Sequence, residues 1–447
     1  MHIPRDVKTM DAESKKAGSS SNDNFDKSST DLKEQIVSAS ENGDLITIKY
    51  KRLVEVWHVD PHSCQDEYDI NTTPLHLASE YGHLNVVRYL VEEKNCDLKC
   101  TNEDEDTPLH VAARGGRLDI VQYLISESGC DPMCRDRYGR TPLHRACQNN
   151  KLDVVQYLIE DVKVDSSCQN YDTGATPLHL AAEFGRLDVV QYLIEEQQCD
   201  AECRDNNENT PLHLAALRGR LAILQYLISE RGCDPMCSGQ YGRNPLHCAC
   251  QEGKLDAVKY LIEDVKVDSS CGDDTGITPL HLAAHFGALD VVQYLIEEQQ
   301  CDMECRDGYE STPLHDAAEG GRLGVVQYLI SERGCDPMCR HRYGRTPLHV
   351  ACDSSKLDVV KYLLEDVKVD SSCRDENDVT PLHIAAFHGH LLLVKSLVEE
   401  YLCELDVRDK NGDTSADVAK EEGHTHITSY LSSIEKIVSS ECTDVYC

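Results

Sequence analysis

The sequence predicts an all-α repeat solenoid, an elongated stack of paired helices, and three observations predict it. A threonine or asparagine followed by Pro-Leu-His occurs ten times, at Thr73, Thr107, Thr141, Thr176, Thr210, Asn244, Thr278, Thr312, Thr346 and Thr380; every step is 34 residues except one of 35. A period in that range marks stacked units that each touch only their neighbours. Each unit carries two stretches of helical apolar periodicity. A longer period lies on top: GCDPMC recurs at Cys130–Cys134, Cys233–Cys237 and Cys335–Cys339, and EDVKVDSSC at Glu160–Cys168, Glu263–Cys271 and Glu365–Cys373. The duplicated block is therefore three units long, and it offers near-identical surfaces at three stations.

The elements of one unit follow from its residues. Thr176 is a helix N-cap, and Pro177 takes the first helical position, where its missing N–H is not needed. Leu178, Ala181 and Ala182 form a narrow apolar stripe whose small residues let a neighbouring helix come close. Gly185 accepts the positive φ that ends the helix. A second helix starts near Leu187, with Val189, Val190, Leu193 and Ile194 on a broader apolar face. The extended stretch QQCDAECRDNNEN leads to the next Thr-Pro. Helices this short are not stable alone in water, so stacking makes the fold.

Along the chain, residues 1–31 are rich in Ser, Asp, Asn and Lys and read as a disordered tail. Residues 32–72 read as a degenerate capping unit that holds the one tryptophan, Trp57. Ten full units fill 73–413, a degenerate cap follows at 414–437, and 438–447 is a short tail. Atypical end units are expected of a solenoid, because they cover the open ends of its core.

These residues resemble the ankyrin repeat family, whose T-P-L-H-x-A signature the ten full units carry in phase; the resemblance covers roughly residues 32–437. The resemblance implies antiparallel helix pairs joined by finger-like hairpins and stacked into a curved body with a concave inner face. It also implies that the signature histidines, His76, His110, His144, His179, His213, His247, His281, His315, His349 and His383, hydrogen-bond within and between units. Ankyrin units usually run about 33 residues. These carry one more, placed after the second helix.

Composition narrows the function. The formal net charge is −35, from 44 basic and 79 acidic residues. Such a surface repels phosphate backbones and anionic lipid, which argues against nucleic-acid and membrane partners and favours basic or polar ones. No apolar run approaches a membrane span, and the first residues lack a signal-peptide core, so the chain is expected inside the cell, in the cytoplasm or nucleus, with its 23 cysteines reduced. A monomer without cofactor is expected.

Candidate chemistry repeats with the scaffold. Equivalent histidines stand one helix spacing apart, about 8–10 Å, and cannot share a metal ion whose ligands lie about 2 Å away. Cysteines recur as C-D-x-x-C, but Val164, Val267 and Val369 fill the first of those slots in three units, so the slot needs apolar bulk. The acidic pairs Glu92/Glu93, Glu195/Glu196, Glu297/Glu298 and Glu399/Glu400 read as a solvated rim. The tyrosines of VVQYLI read as core filler with a wet hydroxyl. No phosphate loop or nucleophile elbow is present, so no enzyme is expected.

Binding residues are sought where units differ. Three hairpin tips share a basic-aromatic pattern, Tyr138-Gly139-Arg140, Tyr241-Gly242-Arg243 and Tyr343-Gly344-Arg345. Tyrosine and arginine are enriched in binding hot spots. On the first helices the variable slots include Arg145, Asp316, and a column Phe184, Phe286 and Phe387. The expected function is a scaffold or adaptor that binds other proteins through these tips and the concave face. A thiol-based metal- or redox-handling protein and a mechanical spacer are the alternatives.

Overall fold

The computed structural model describes the backbone of residues 65–66, 69–70 and 72–444, and side chains from 72 to 434. The expected tail at 1–31, most of the capping unit at 32–72 with Trp57, and residues 445–447 lie outside the described residues. The chain divides into two compact units, Met1–Arg137 and Tyr138–Cys447.

In the first unit a two-residue antiparallel ladder, β1 (Gln65–Asp66) and β2 (Asp69–Ile70), pairs Gln65 with Ile70. Inner helices Pro74–Tyr81 and Pro108–Gly115 follow. Their outer partners, Leu84–Arg88 and Leu118–Gln122, each run on as a π-helical turn. The second unit repeats this plan from the inner helix Pro142–Gln148 to Ser415–Glu421, except that the outer helices Leu187–Glu195, Leu289–Glu297, Leu357–Glu365 and Leu391–Glu399 are α-helical throughout. Its last helix, Thr425–Asp444, holds the expected boundary at 437 in its interior. Apart from the small ladder, the described fold is an all-helical solenoid.

The repeat read from the sequence is built as its residues dictate. Thr176 is extended at φ −85°, ψ 167°, and the inner helix Pro177–Glu183 begins after it. Gly185 sits at φ 74°, and the outer helix Leu187–Glu195 follows. Leu178, Ala181, Ala182, Val189, Val190 and Leu193 are all buried.

The signature histidines form a circuit that fixes their chemistry. The backbone N–H of Thr210 donates to His213 Nδ1 at 3.1 Å, so Nδ1 carries no proton. His213 Nε2–H then donates to the Arg243 carbonyl at 3.1 Å, in the hairpin leading to the next repeat. The same bonds join His281 to Ser311, His315 to Arg345 and His349 to Val379 in the second unit, and His76 to Asp106 in the first. Each ring is neutral and buried. Desolvation lowers His213, His247, His315 and His349 to about 4.

Two further ladders run between repeats. On the outer helices a tyrosine hydroxyl donates to a glutamate of the preceding repeat: Tyr192 to Glu160 at 2.9 Å, Tyr226 to Glu195 at 3.0 Å, Tyr294 to Glu263 at 2.8 Å and Tyr328 to Glu297 at 2.9 Å. In the first unit Tyr123 donates to Glu92 at 3.1 Å. The first members of all four expected rim pairs, Glu92, Glu195, Glu297 and Glu399, are thus hydrogen-bond acceptors, the last from Tyr430 at 2.8 Å, and the hydroxyls are not simply wet. Burial, then the carboxylate, raises the tyrosine pKa, to about 12 for Tyr226 and Tyr328. The ladder's stabilisation is therefore present below pH 10 and is lost as pH rises towards 12. Tyr294→Phe should lower the unfolding free energy by about 1 kcal/mol in a denaturant titration. An unchanged midpoint would leave the ladder without weight.

On the inner side, an arginine or histidine that follows a helix-ending glycine caps the preceding inner helix. Arg220 Nε donates to the Glu183 carbonyl at 3.0 Å, Arg322 Nε to His285 at 2.9 Å, and His390 and His424 take the same place on Asp353 and Phe387 at 2.9 Å. Carbonyls at a helix end lack intrahelical partners, and these side chains supply them. Neighbouring inner helices pack so closely that a Cβ added at Gly320 would collide with the His285 carbonyl oxygen. At Gly115 it would meet Glu80 O at 2.5 Å.

Candidate functional site

With so many polar groups consumed by stacking, the candidate site is what stacking leaves over. At the hairpin tips Tyr241 and Tyr343 are 62% and 52% exposed. Tyr138 is half-buried, with the Arg140 guanidinium 4.8 Å from its ring centroid. The tip backbone is committed to the stack. The carbonyl of Tyr138 accepts the N–H of Tyr171, that of Tyr241 accepts Asp274, and that of Tyr343 accepts Glu376.

The arginines of the same motif are committed as well. Arg243 Nε donates to Asp273 at 3.2 Å and its Nη1 to Gln251 at 3.3 Å. Arg345 bridges Asp375 and Asp353, each at 3.4 Å. Arg243 and Arg345 stitch one hairpin to the next, and the tyrosine rings are what faces solvent. The triplet singled out from the sequence thus divides into a structural half and an exposed half.

On the inner helices Arg145 is buried and Phe184 is half-buried. Phe286 and Phe387 are 41% and 46% exposed. These three rings do not form a column. Phe184 and Phe286 immediately precede Gly185 and Gly287, whereas Phe387 stands two residues before Gly389, in the slot that Glu183 and His285 fill elsewhere.

Asp316 is the residue that breaks the pattern. It lies half-buried on the inner helix Pro313–Gly320, at the slot where the sister blocks carry Val111 and Leu214 and the adjacent repeats carry Leu282 and Val350. Burial, with Asp307 and Glu319 nearby, raises its pKa well above the usual carboxylate range. No described cation pairs with it.

The other candidate chemistries are absorbed by the frame. His383 donates to the Asp413 carbonyl, His388 pairs with Asp353 at 2.9 Å, and His390 and His424 are helix caps. The twenty described cysteines are free thiols. Burial pushes Cys203, Cys237 and Cys339 up to about 11, and Cys147, Cys250 and Cys352 higher still, away from thiolate chemistry at neutral pH. Among the described residues no group of three or more His, Cys, Asp or Glu has the geometry to hold a metal ion. No described helix is long and apolar enough to cross a membrane.

A search of curated proteins returned no match to the chain. The family model for ankyrin repeats (3 copies) matches it in nine overlapping windows, from residues 36–136 through 197–271 to 367–441. Those windows run almost end to end, and the helix pairs beneath them are stacked through the signature histidines, so the chain belongs to the ankyrin repeat family, whose repeats are in general protein–protein interaction modules.

Proposed function

We propose that the chain is a non-enzymatic adaptor, working inside the cell as a monomer, that holds partner proteins with basic or polar epitopes on the hairpin tips and inner helices of its second unit. The observation that carries this reading is Asp316, a half-buried carboxylate without a cation where equivalent repeats hold Val111 and Leu214. A group that weakens the fold and serves nothing inside it is suited to a ligand from outside. The exposed rings of Tyr241, Tyr343 and Phe286 supply apolar anchor area on the same frame. A rigid stack presents these groups at fixed spacing, so little entropy is lost when a partner docks.

The test separates stability from binding. Partners are captured from native extract, and their affinities are compared for the wild type, Asp316→Leu and the triple change of Tyr138, Tyr241 and Tyr343 to Ala. Asp316→Leu copies Leu214, so it should raise the thermal midpoint while weakening partner binding about tenfold or more, the loss of one desolvated charge pair. The triple change should weaken binding with little effect on the midpoint. Unchanged affinity in both variants removes the proposal.

A further inference from the structure

We infer that the cavity between Phe387 and Glu421 receives an arginine side chain from an extended segment of a partner protein. This rests on the adaptor reading and makes it specific at one place.

The first ground is a pairing rule within the array. The seventh residue after each helix-capping threonine lies within reach of the seventh or eighth residue of a neighbouring repeat. Wherever a described carboxylate stands there earlier in the chain, a neighbouring repeat supplies a cation or histidine. Glu80 is met by Arg114 at 3.0 Å and Glu183 by Arg218 at 2.9 Å. Glu319 is met by His285 at 3.7 Å and Asp353 by His388 at 2.9 Å. Glu421 occupies the same slot on the inner helix Ser415–Glu421, and Glu422 follows it. Both are exposed, and neither has a described side-chain partner. Among the described residues this is the place where the rule is left incomplete.

The second ground is the shape and charge of the space beside them. A cavity of about 340 Å³ opens here, floored by Val379, Ile384 and Val418 and walled by Phe387. Five carboxylates line it, those of Asp353, Asp409, Asp413, Glu421 and Glu422, against one guanidinium, that of Arg345. That guanidinium is already held by Asp353 and Asp375. The cavity is therefore an apolar floor under a net negative rim, with an aromatic face that is 46% exposed. An arginine matches all three parts: its aliphatic stem covers the valines and isoleucine, its planar head stacks on Phe387, and its N–H groups meet Glu421 and Glu422. The docked guanidinium would do for Glu421 what Arg114 does for Glu80.

The test uses the full chain with ¹³C-labelled isoleucine and valine methyls and a defined probe, the peptide acetyl-Gly-Ser-Arg-Ser-Gly-amide. The Ile384 and Val418 methyl resonances should shift saturably with this peptide. Replacing its arginine by citrulline, which keeps the shape and removes the charge, should weaken the effect at least tenfold. The double change Glu421→Gln and Glu422→Gln should weaken it to the same degree. These side chains are exposed, so the thermal midpoint should not move. Resonances that stay still at millimolar peptide, or that move equally with citrulline or in the double variant, overturn the inference. So does a phosphoserine peptide that shifts them as strongly as the arginine peptide. If the cavity stays empty while Asp316→Leu still abolishes partner capture, the adaptor reading stands without this pocket.

Discussion

Between pH 6.5 and 4 the array should lose most of its stability, through its signature histidines. Each ring accepts at Nδ1 and donates from Nε2, as His213 does to Arg243 at 3.1 Å, and protonating Nδ1 puts a proton where the Thr210 N–H already points. Burial holds His213, His247, His315 and His349 at about 4 and lowers His179, His281 and His383 as well. In the unfolded chain the same groups titrate near 6.5. The unfolded state therefore binds more protons throughout this window. The contribution is complete above pH 6.5 and disappears as pH falls towards 4.

A shift of that size corresponds to about 3 kcal/mol for each of the four histidines, and to on the order of 10 kcal/mol together. That is comparable to the whole stability of a typical domain. Circular dichroism melts from pH 7 to pH 4, alongside imidazole titrations by NMR, check this. A competing effect runs the other way, since partial neutralisation of a chain with net charge −35 relieves self-repulsion. Salt separates the two, because surface repulsion is screened and histidine burial is not. A thermal midpoint that stays flat from pH 7 to 5 at high salt would overturn the expectation.

Gly320→Ala should be among the most damaging single substitutions available, although it adds one methyl group. The added Cβ would strike the His285 carbonyl oxygen, a backbone atom that Arg322 Nε already holds at 2.9 Å, and would crowd Arg322 Cγ as well. Neither helix can give way without breaking that cap. A loss of about 3 kcal/mol is expected, the upper end of what overpacking costs.

Gly324→Ala is the matched control. Its Cβ would meet only Leu289 Cδ2 at 3.9 Å, an ordinary contact, and the glycine lies in the outer helix Leu323–Gln327. Removing a flexible residue from a helix should stabilise by about 0.5–1 kcal/mol. Because repeats open locally, hydrogen exchange should show the Gly320→Ala damage concentrated in helices Pro279–Phe286 and Pro313–Gly320. Equal midpoints for the two variants would contradict the packing argument.

The stacking was legible in the sequence because it is local and periodic. Thr176, Pro177 and Gly185 each do what their backbone chemistry demands, and their recurrence leaves little choice of architecture. The bonds between repeats were not legible, because they join residues about 30 positions apart whose types do not announce a pair. Tyr294 read as filler, yet its hydroxyl meets Glu263. Nothing in its sequence position marks Arg322 as a cap, yet it caps the helix ending at Phe286 through the His285 carbonyl. The tip arginines looked like binding residues because their type suits that work; the structure gives Arg243 and Arg345 internal partners. The supposed phenylalanine column needed only a one-residue count from Gly389 to dissolve, so that information was present in the sequence and unused. Asp316 was visible as a variable slot. What made it informative was its burial and lack of a cation, which only coordinates supply.

The histidine circuit has a consequence for how such a chain lengthens. His179 donates forward to Asn209, and His281, one block later, donates forward to Ser311 through an equivalent bond. The donor is the signature imidazole and the acceptor a backbone carbonyl 30 residues on in both, so a crossover between those two points rejoins the seam with no orphaned group. Whole repeats or blocks can be gained or dropped by unequal recombination and leave each described ring with a carbonyl to face, while a break out of phase with the repeat would strand one.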